Sequence, residues 1–162
     1  MSLKFSKICR VNDLRKGRVI VALQFALIIA LVIFPDGTQV QSWAKITGIF
    51  LIGVGVIIIF IGFSGLGKSL TANPVPNQDG KLVTTGIYSR VRHPIYTGLL
   101  AATLGLVLSS GVWSQILLWL ALVILLTYKL RWEEVMLSAK YKGYAEYKAR
   151  VPAIFPRLTP SK

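Results

Sequence analysis

Hydrophobic and polar positions alternate along this chain in long blocks, not at the period of a strand or an amphipathic helix. Val19 to Phe34 carries no charge, and Ala44 to Leu66 carries only Lys45. Pro94 to Tyr128 stays apolar for 35 residues. Blocks of this kind predict helices that cross a bilayer. As one helix the last block would run ~50 Å at 1.5 Å per residue, well beyond a ~30 Å hydrocarbon core. Ser109-Ser110-Gly111 lies near its middle. The block therefore predicts a helical hairpin, with arms at 94–109 and 113–139. Pro35-Asp36-Gly37 predicts the turn that ends the first span.

The polar stretches complete one membrane domain of all-α, polytopic class with about four transmembrane helices. Residues 1–18 are a basic tail, 19–66 two spans, 67–93 a loop, 94–139 the hairpin and 140–162 an interfacial tail. A basic tail before a short apolar run also fits a signal peptide, but three further apolar runs predict a retained anchor. With four spans, the N-terminus, the 68–92 loop and the C-terminal tail share one side. That side carries every Lys and Arg except Lys45, the asymmetry expected of a cytosolic face. The chain is then expected in a prokaryotic inner membrane or an ER-type membrane, with both termini cytosolic.

Composition sharpens this. Of 162 residues, 54% are hydrophobic, too many for an ordinary soluble domain of this size. The formal charge of +13 would suit nucleic acid, but the basic residues gather at the ends of apolar runs, so no nucleic-acid partner is expected. The single Cys9 rules out an internal disulfide. Gly48, Gly55 and Gly62 recur on one helical face and predict a close packing seam, serving either an internal contact or a homodimer. Gly62 to Ser69 fits the phosphate-loop pattern literally, but that pattern needs a strand before it and a helix after it. An apolar helix precedes it here and Asn73-Pro74-Val75-Pro76-Asn77 follows, so the stretch predicts a helix end. No metal site is expected.

Candidate chemistry lies in two places. Ser89 to Gly98 sets Arg90, Arg92, the only histidine, Pro94 and Tyr96 against an apolar run. Polar groups at a membrane edge are costly and mark function. Pro94 suits the first turn of a helix, which puts His93 at a helix N-terminus, where free N–H groups favour anions. The second cluster is Lys129-Leu130-Arg131-Trp132-Glu133-Glu134. Helical spacing allows Lys129 to pair with Glu133 and Arg131 with Glu134. The hairpin brings these carboxylates back to the level of Arg92 and His93, so that the two polar clusters face each other. Tyr144 and Tyr147, among basic residues, suit a membrane interface.

These motifs resemble the isoprenylcysteine carboxyl methyltransferase family, within the integral-membrane methyltransferases that include phospholipid N-methyltransferases. The resemblance covers roughly residues 66–156. It rests on Leu82-Val83-Thr84-Thr85-Gly86-Ile87-Tyr88, on Arg92-His93-Pro94-Ile95-Tyr96-Thr97-Gly98, on Glu133-Glu134, and on Tyr144-x-x-Tyr147 with Arg150-Val151-Pro152. It implies an S-adenosylmethionine pocket facing the cytosol, lined by Lys81, Leu82, Val83, Tyr88, His93, Pro94, Ile95, Tyr96 and Glu133. Lys129 falls where eukaryotic members place a substrate-binding arginine, and Arg131 is a nearby alternative. Where the family often has Phe-Gly after the acidic pair, this chain has Tyr141-Lys142.

Methyl transfer to a lipophilic small molecule or lipidated substrate is the function that follows. A carboxylate acceptor needs only a cation, Lys129 or Arg131. A phospholipid amine acceptor would need deprotonation, by His93 or Glu134. The catalytic candidates are thus His93, Glu134 and Arg131. Two other classes stay open, a nicotinamide-dependent enzyme like the sterol reductases and a membrane protein without turnover.

Overall fold

A computed structural model describes residues 2–34, 37, 40–69 and 80–156 of the chain. Pro35 and Asp36 of the expected turn, the Asn73–Asn77 stretch and the last six residues lie outside them. Among the described residues there are five α-helices and no strand: α1 Ser2–Ile33, α2 Ser42–Leu66, α3 Pro94–Ser110, α4 Gln115–Lys140 and α5 Tyr144–Arg150. Short 3₁₀ turns cover Gly67–Ser69 and Gly86–Ser89. Residues 62–69 are thus a helix end, not a phosphate loop.

α1, α2 and α4 are long and apolar enough to cross a bilayer. α3 has 17 residues, about 25 Å at 1.5 Å per residue, the lower end of a spanning length. The basic N-terminal stretch is not separate from the first span. α1 begins at Ser2 and runs through it, because no Gly or Pro interrupts residues 2–16.

Residues 94–128 form two helices, as the pattern predicts. α3 ends at Ser110, and Gly111 follows with φ 67°, a left-handed cap that a side chain would strain. The Ser110 hydroxyl donates to the Val107 carbonyl at 2.9 Å and accepts from the Val112 N–H at 3.2 Å. The Gly37 N–H donates to the Ser110 carbonyl at 2.8 Å, so the α1–α2 and α3–α4 connections meet at one end. The N-termini of α1 and α3 and the C-termini of α2 and α4 therefore share the other end.

Packing differs from a simple hairpin: α3 lies closest to α2, and α4 packs chiefly on α1. The glycine seam explains the first pairing. A Cβ on Gly55 would stand 2.5 Å from the Gly98 carbonyl oxygen, and one on Gly98 would stand 2.5 Å from that of Gly55. Gly48 and Gly105 face each other in the same way. Backbones this close leave no room for side chains, the usual means by which membrane helices associate. α3 fills the seam, so among the described residues these glycines serve an internal contact. Leu31, Leu100, Val107, Leu122 and Leu126 fill the space between α1, α3 and α4.

The C-terminal segment departs from the expected interfacial tail. Tyr144 and Tyr147 are buried and cluster with Val151, Leu82, Leu137 and Tyr141. Beyond α5 the chain runs beside the start of α3. Arg92 N donates to the Pro152 carbonyl and His93 N to the Ala153 carbonyl, both at 2.9 Å. Pro94 starts the helix, so the N–H groups just before it have no partner within α3 and are satisfied by this strap.

Candidate functional site

At the end where α1, α3 and the exits of α2 and α4 meet, a cavity of about 1170 Å³, including its open mouth, enters the bundle. Four chain segments build its polar wall. Lys81, Leu82, Val83 and Tyr88 come from the connection before α3, and His93, Pro94, Ile95 and Tyr96 from the entry of α3. Lys129 and Glu133 come from α4, and Tyr144 and Tyr147 from α5. Val21, Gln24 and Phe25 of α1, with Phe63 and Leu66 of α2, line the apolar remainder.

Every residue that the motifs assigned to the cofactor lines this cavity, and so does Lys129. Arg131 and Glu134 do not. Arg131 is exposed on α4, which separates it from the substrate-binding and catalytic positions expected of it. The helical geometry decides this: Arg131 is two residues from both Lys129 and Glu133, so it points away from the face they share.

His93 is the N-cap residue of α3, and its ring stacks on Tyr96 with centroids 5.4 Å apart and planes 2° from parallel. The Tyr96 hydroxyl donates to Glu133 Oε2 at 2.7 Å. His93 Nδ1 lies 3.9 Å from the same oxygen, and Nε2 lies 3.4 Å from Glu134 Oε1. Neither contact has the geometry of a hydrogen bond, so among the described residues the buried His93 Nε2 has no hydrogen-bond partner. The buried Tyr144 hydroxyl has none either. Both residues line the cavity, and a buried polar group left unpaired is one that a polar ligand can satisfy.

The acidic pair divides its work. Glu134 is buried and takes Arg92 Nε at 2.9 Å on Oε1, where Arg92 Nη2 also donates, and Lys148 Nζ at 2.8 Å on Oε2. Arg92 Nη1 further donates to the carbonyls of Lys148, at 3.1 Å, and Val151. Glu134 therefore clamps α4 to the start of α3 and to α5, with its oxygens committed. The expected helical pairs, Lys129 with Glu133 and Arg131 with Glu134, do not form. For Glu134 the buried arginine fork outcompetes the exposed Arg131, while Glu133 accepts from Tyr96 and Lys129 turns to α1.

Lys129 instead donates to Gln24 Oε1 of α1 at 2.8 Å and lies 5.2 Å from the centre of the Tyr96 ring. The loop is held by three tyrosines. Tyr88 donates to the Gly62 carbonyl at 3.0 Å, Tyr147 to the Tyr88 carbonyl at 2.6 Å and Tyr141 to the Gly80 carbonyl at 2.5 Å. Burial, then the nearby Glu133, pushes the Tyr88 hydroxyl well above its ordinary pKa, and burial pushes Tyr147 up to about 12. They act as neutral donors.

Gln24 was not singled out in the sequence. Its signal was present, since it is the one polar side chain between Val19 and Phe34, and intramembrane polar groups mark sites. The hairpin set Glu134 level with Arg92 but did not pair them, and Lys148 was missed, because nothing local links it to Glu134. Among the described residues no group of three or more His, Cys, Asp or Glu could hold a metal ion.

Comparison with known proteins supports the wider group of membrane methyltransferases and not the isoprenylcysteine branch in particular. The family model described as phospholipid methyltransferase matches residues 43–143. A cobalt-zinc-cadmium resistance protein of Cupriavidus metallidurans is 36% identical over 83 residues, 51% of this chain and 38% of that protein. A nickel-cobalt-cadmium resistance protein of Alcaligenes xylosoxydans xylosoxydans is 35% identical over 80 residues, 49% of this chain and 38% of that protein. The match thus spans well under half the length of either relative.

Proposed function

The chain belongs to the phospholipid methyltransferase family, and from that membership we propose that it moves a methyl group from S-adenosylmethionine to a lipophilic carboxylate, an O-methylation of the isoprenylcysteine type. The family match and three apolar helices make it an integral membrane protein. The basic residues at the cavity end support a cytosolic site.

Lys129 carries the choice of acceptor. It is 4% exposed and lies on the cavity wall, and among the described residues no carboxylate lies within ion-pair distance of it. Glu133 acts on it only at longer range, so the buried cation lacks a contact partner of opposite charge, and an acceptor carboxylate would supply one. A carboxylate is already an ionised nucleophile and needs no base, which agrees with the commitment of both Glu134 oxygens to cations.

The residues fit the cofactor. The orphaned His93 Nε2 and Tyr144 hydroxyl, with Lys81 and Glu133, offer polar partners for its amino-acid and ribose groups. Leu82, Val83, Pro94 and Ile95 offer apolar contact for its base. When bound, S-adenosylmethionine supplies a sulfonium methyl already activated for displacement. The chain's own part is then to hold, align and exclude water. Tyr96 fixes Glu133, His93 stacks on Tyr96, and the Arg92–Glu134 clamp holds the strap against the start of α3.

An amine-bearing phospholipid is the second reading, favoured by the family's description. Lys129 would then hold the phosphodiester and Glu133 would take the ammonium proton. The test is to incubate the purified chain in nanodiscs with deuteromethyl cofactor and either S-farnesylcysteine or phosphatidylethanolamine. A methyl ester, which releases labelled methanol in mild base, supports the first reading. A base-stable N-methyl lipid supports the second, and no incorporation with no calorimetric heat for the cofactor overturns both.

A further inference from the structure

The matched family region does not supply the whole cavity wall: α1 and α5 lie outside it. Gln24 lies on α1, outside residues 43–143, is 9% exposed, and receives the Lys129 ammonium on Oε1 at 2.8 Å. An ammonium can only donate, so the amide must turn its oxygen toward Lys129 and its NH₂ away. Gln24 and Lys129 then present a neutral donor and a cation side by side on the cavity wall, with Phe25 and Val21 next to them. Phe25 is 53% exposed on the outer surface of α1, where acyl chains lie. Two adjacent donors at the inner end of an apolar approach match the paired oxygens of an anionic headgroup.

We propose that Gln24 is a positioning residue that makes Lys129 an oxyanion receptor, so that α1 selects acceptors by the negative charge of their headgroup. The proposal rests on the reading of the cavity as an acceptor site and deepens it. A carboxylate and a phosphodiester share the required chemistry. Neutrality of the Gln24 side chain is the essential property. A carboxylate there would pair with Lys129 and cancel the receptor while filling the same space.

The experiment measures binding, not turnover, on the full chain in detergent with S-adenosylhomocysteine present. N-acetyl-S-farnesylcysteine is compared with its carboxamide, and dioleoylphosphatidylmethanol with dioleoylglycerol, so that each pair differs by one negative charge. The wild type is expected to favour the anionic member of at least one pair by about tenfold or more, the scale of a charge-assisted hydrogen bond. The pair that shows it identifies the headgroup. Gln24→Glu should abolish the preference with S-adenosylhomocysteine affinity unchanged, and Gln24→Asn should retain part of it. A wild type without preference in either pair overturns the proposal, and so does a Gln24→Glu variant that keeps the preference. If Gln24→Glu fails to fold, Gln24→Met decides, because loss of the amide should cut the preference and an unchanged preference would overturn the proposal. Charge preference that depends on Gln24 without any methyl transfer would uphold the receptor and remove the enzymatic reading instead.

Discussion

Arg92 and Glu134 stand 42 positions apart in sequence and meet at 2.9 Å through Arg92 Nε. Both side chains are buried, at 7% and 6% exposure. The pair joins the entry of α3 to the exit of α4, and through the Lys148 and Val151 carbonyls it also joins α5 and the strap.

Removing one partner should leave the other buried and unpaired. Glu134→Ala is expected to destabilise the fold by about 3–5 kcal/mol, the usual cost of breaking a buried ion pair. Glu133→Gln, one residue away, should leave stability nearly unchanged and weaken cofactor binding. Denaturant unfolding of both variants, with calorimetry against S-adenosylhomocysteine, would check this contrast between adjacent carboxylates.

The seam between α2 and α3 has a sharp steric signature. Gly55→Ala or Gly98→Ala would place a Cβ 2.5 Å from a carbonyl oxygen and should cost about 1–3 kcal/mol as the helices separate. Gly53→Ala on the same helix meets nothing within 4 Å and should be neutral or slightly stabilising. Equilibrium unfolding in mixed micelles separates the two outcomes.

Tyr147 gives the fold an alkaline limit. Its pKa is pushed up to about 12 by burial, against about 10 in an unfolded chain. Between those values the folded protein holds a proton that the unfolded chain has lost. This contribution to stability is fully present below about pH 10 and is lost as the pH rises toward about 12. Tyr147→Phe should show a shallower fall of Tm across that window, at the cost of its hydrogen bond to the Tyr88 carbonyl.

Cofactor should protect the fold. S-adenosylhomocysteine at a hundred times its Kd should add about 2.7 kcal/mol, read as a raised Tm. His93→Ala and Tyr144→Phe should lose most of that protection, because they remove the two orphaned polar atoms of the wall. Arg131→Ala, exposed and outside the cavity, should keep it.

Much of the fold was legible in the order of residues. The length of the 94–128 block forced a reversal, and Ser110-Gly111 supplied its chemistry. Glycines seven apart announced a close helix contact. The cavity wall from Lys81 to Tyr96 was legible because these residues lie next to one another in the chain. The partners of the charged groups were not legible. Spacing along one helix suggested Arg131 for Glu134, while the folded chain supplies Arg92 and Lys148 from two other segments. Tyr144 and Tyr147 read as interface aromatics because their burial depends on a strap that only the folded chain draws across α3.

By itself the sequence determined the apolar spans, the reversal within residues 94–128, and the segment from which much of the cavity wall is drawn. Those properties follow from local polarity and chain length against a bilayer of given thickness. Tertiary structure alone decided that α3 pairs with α2, that Glu134 is a clamp and Glu133 a wall residue, and that Gln24 reaches Lys129 from 105 residues away. A buried charge takes its partner from whichever segment packing brings within reach, and distance along the chain does not encode that choice.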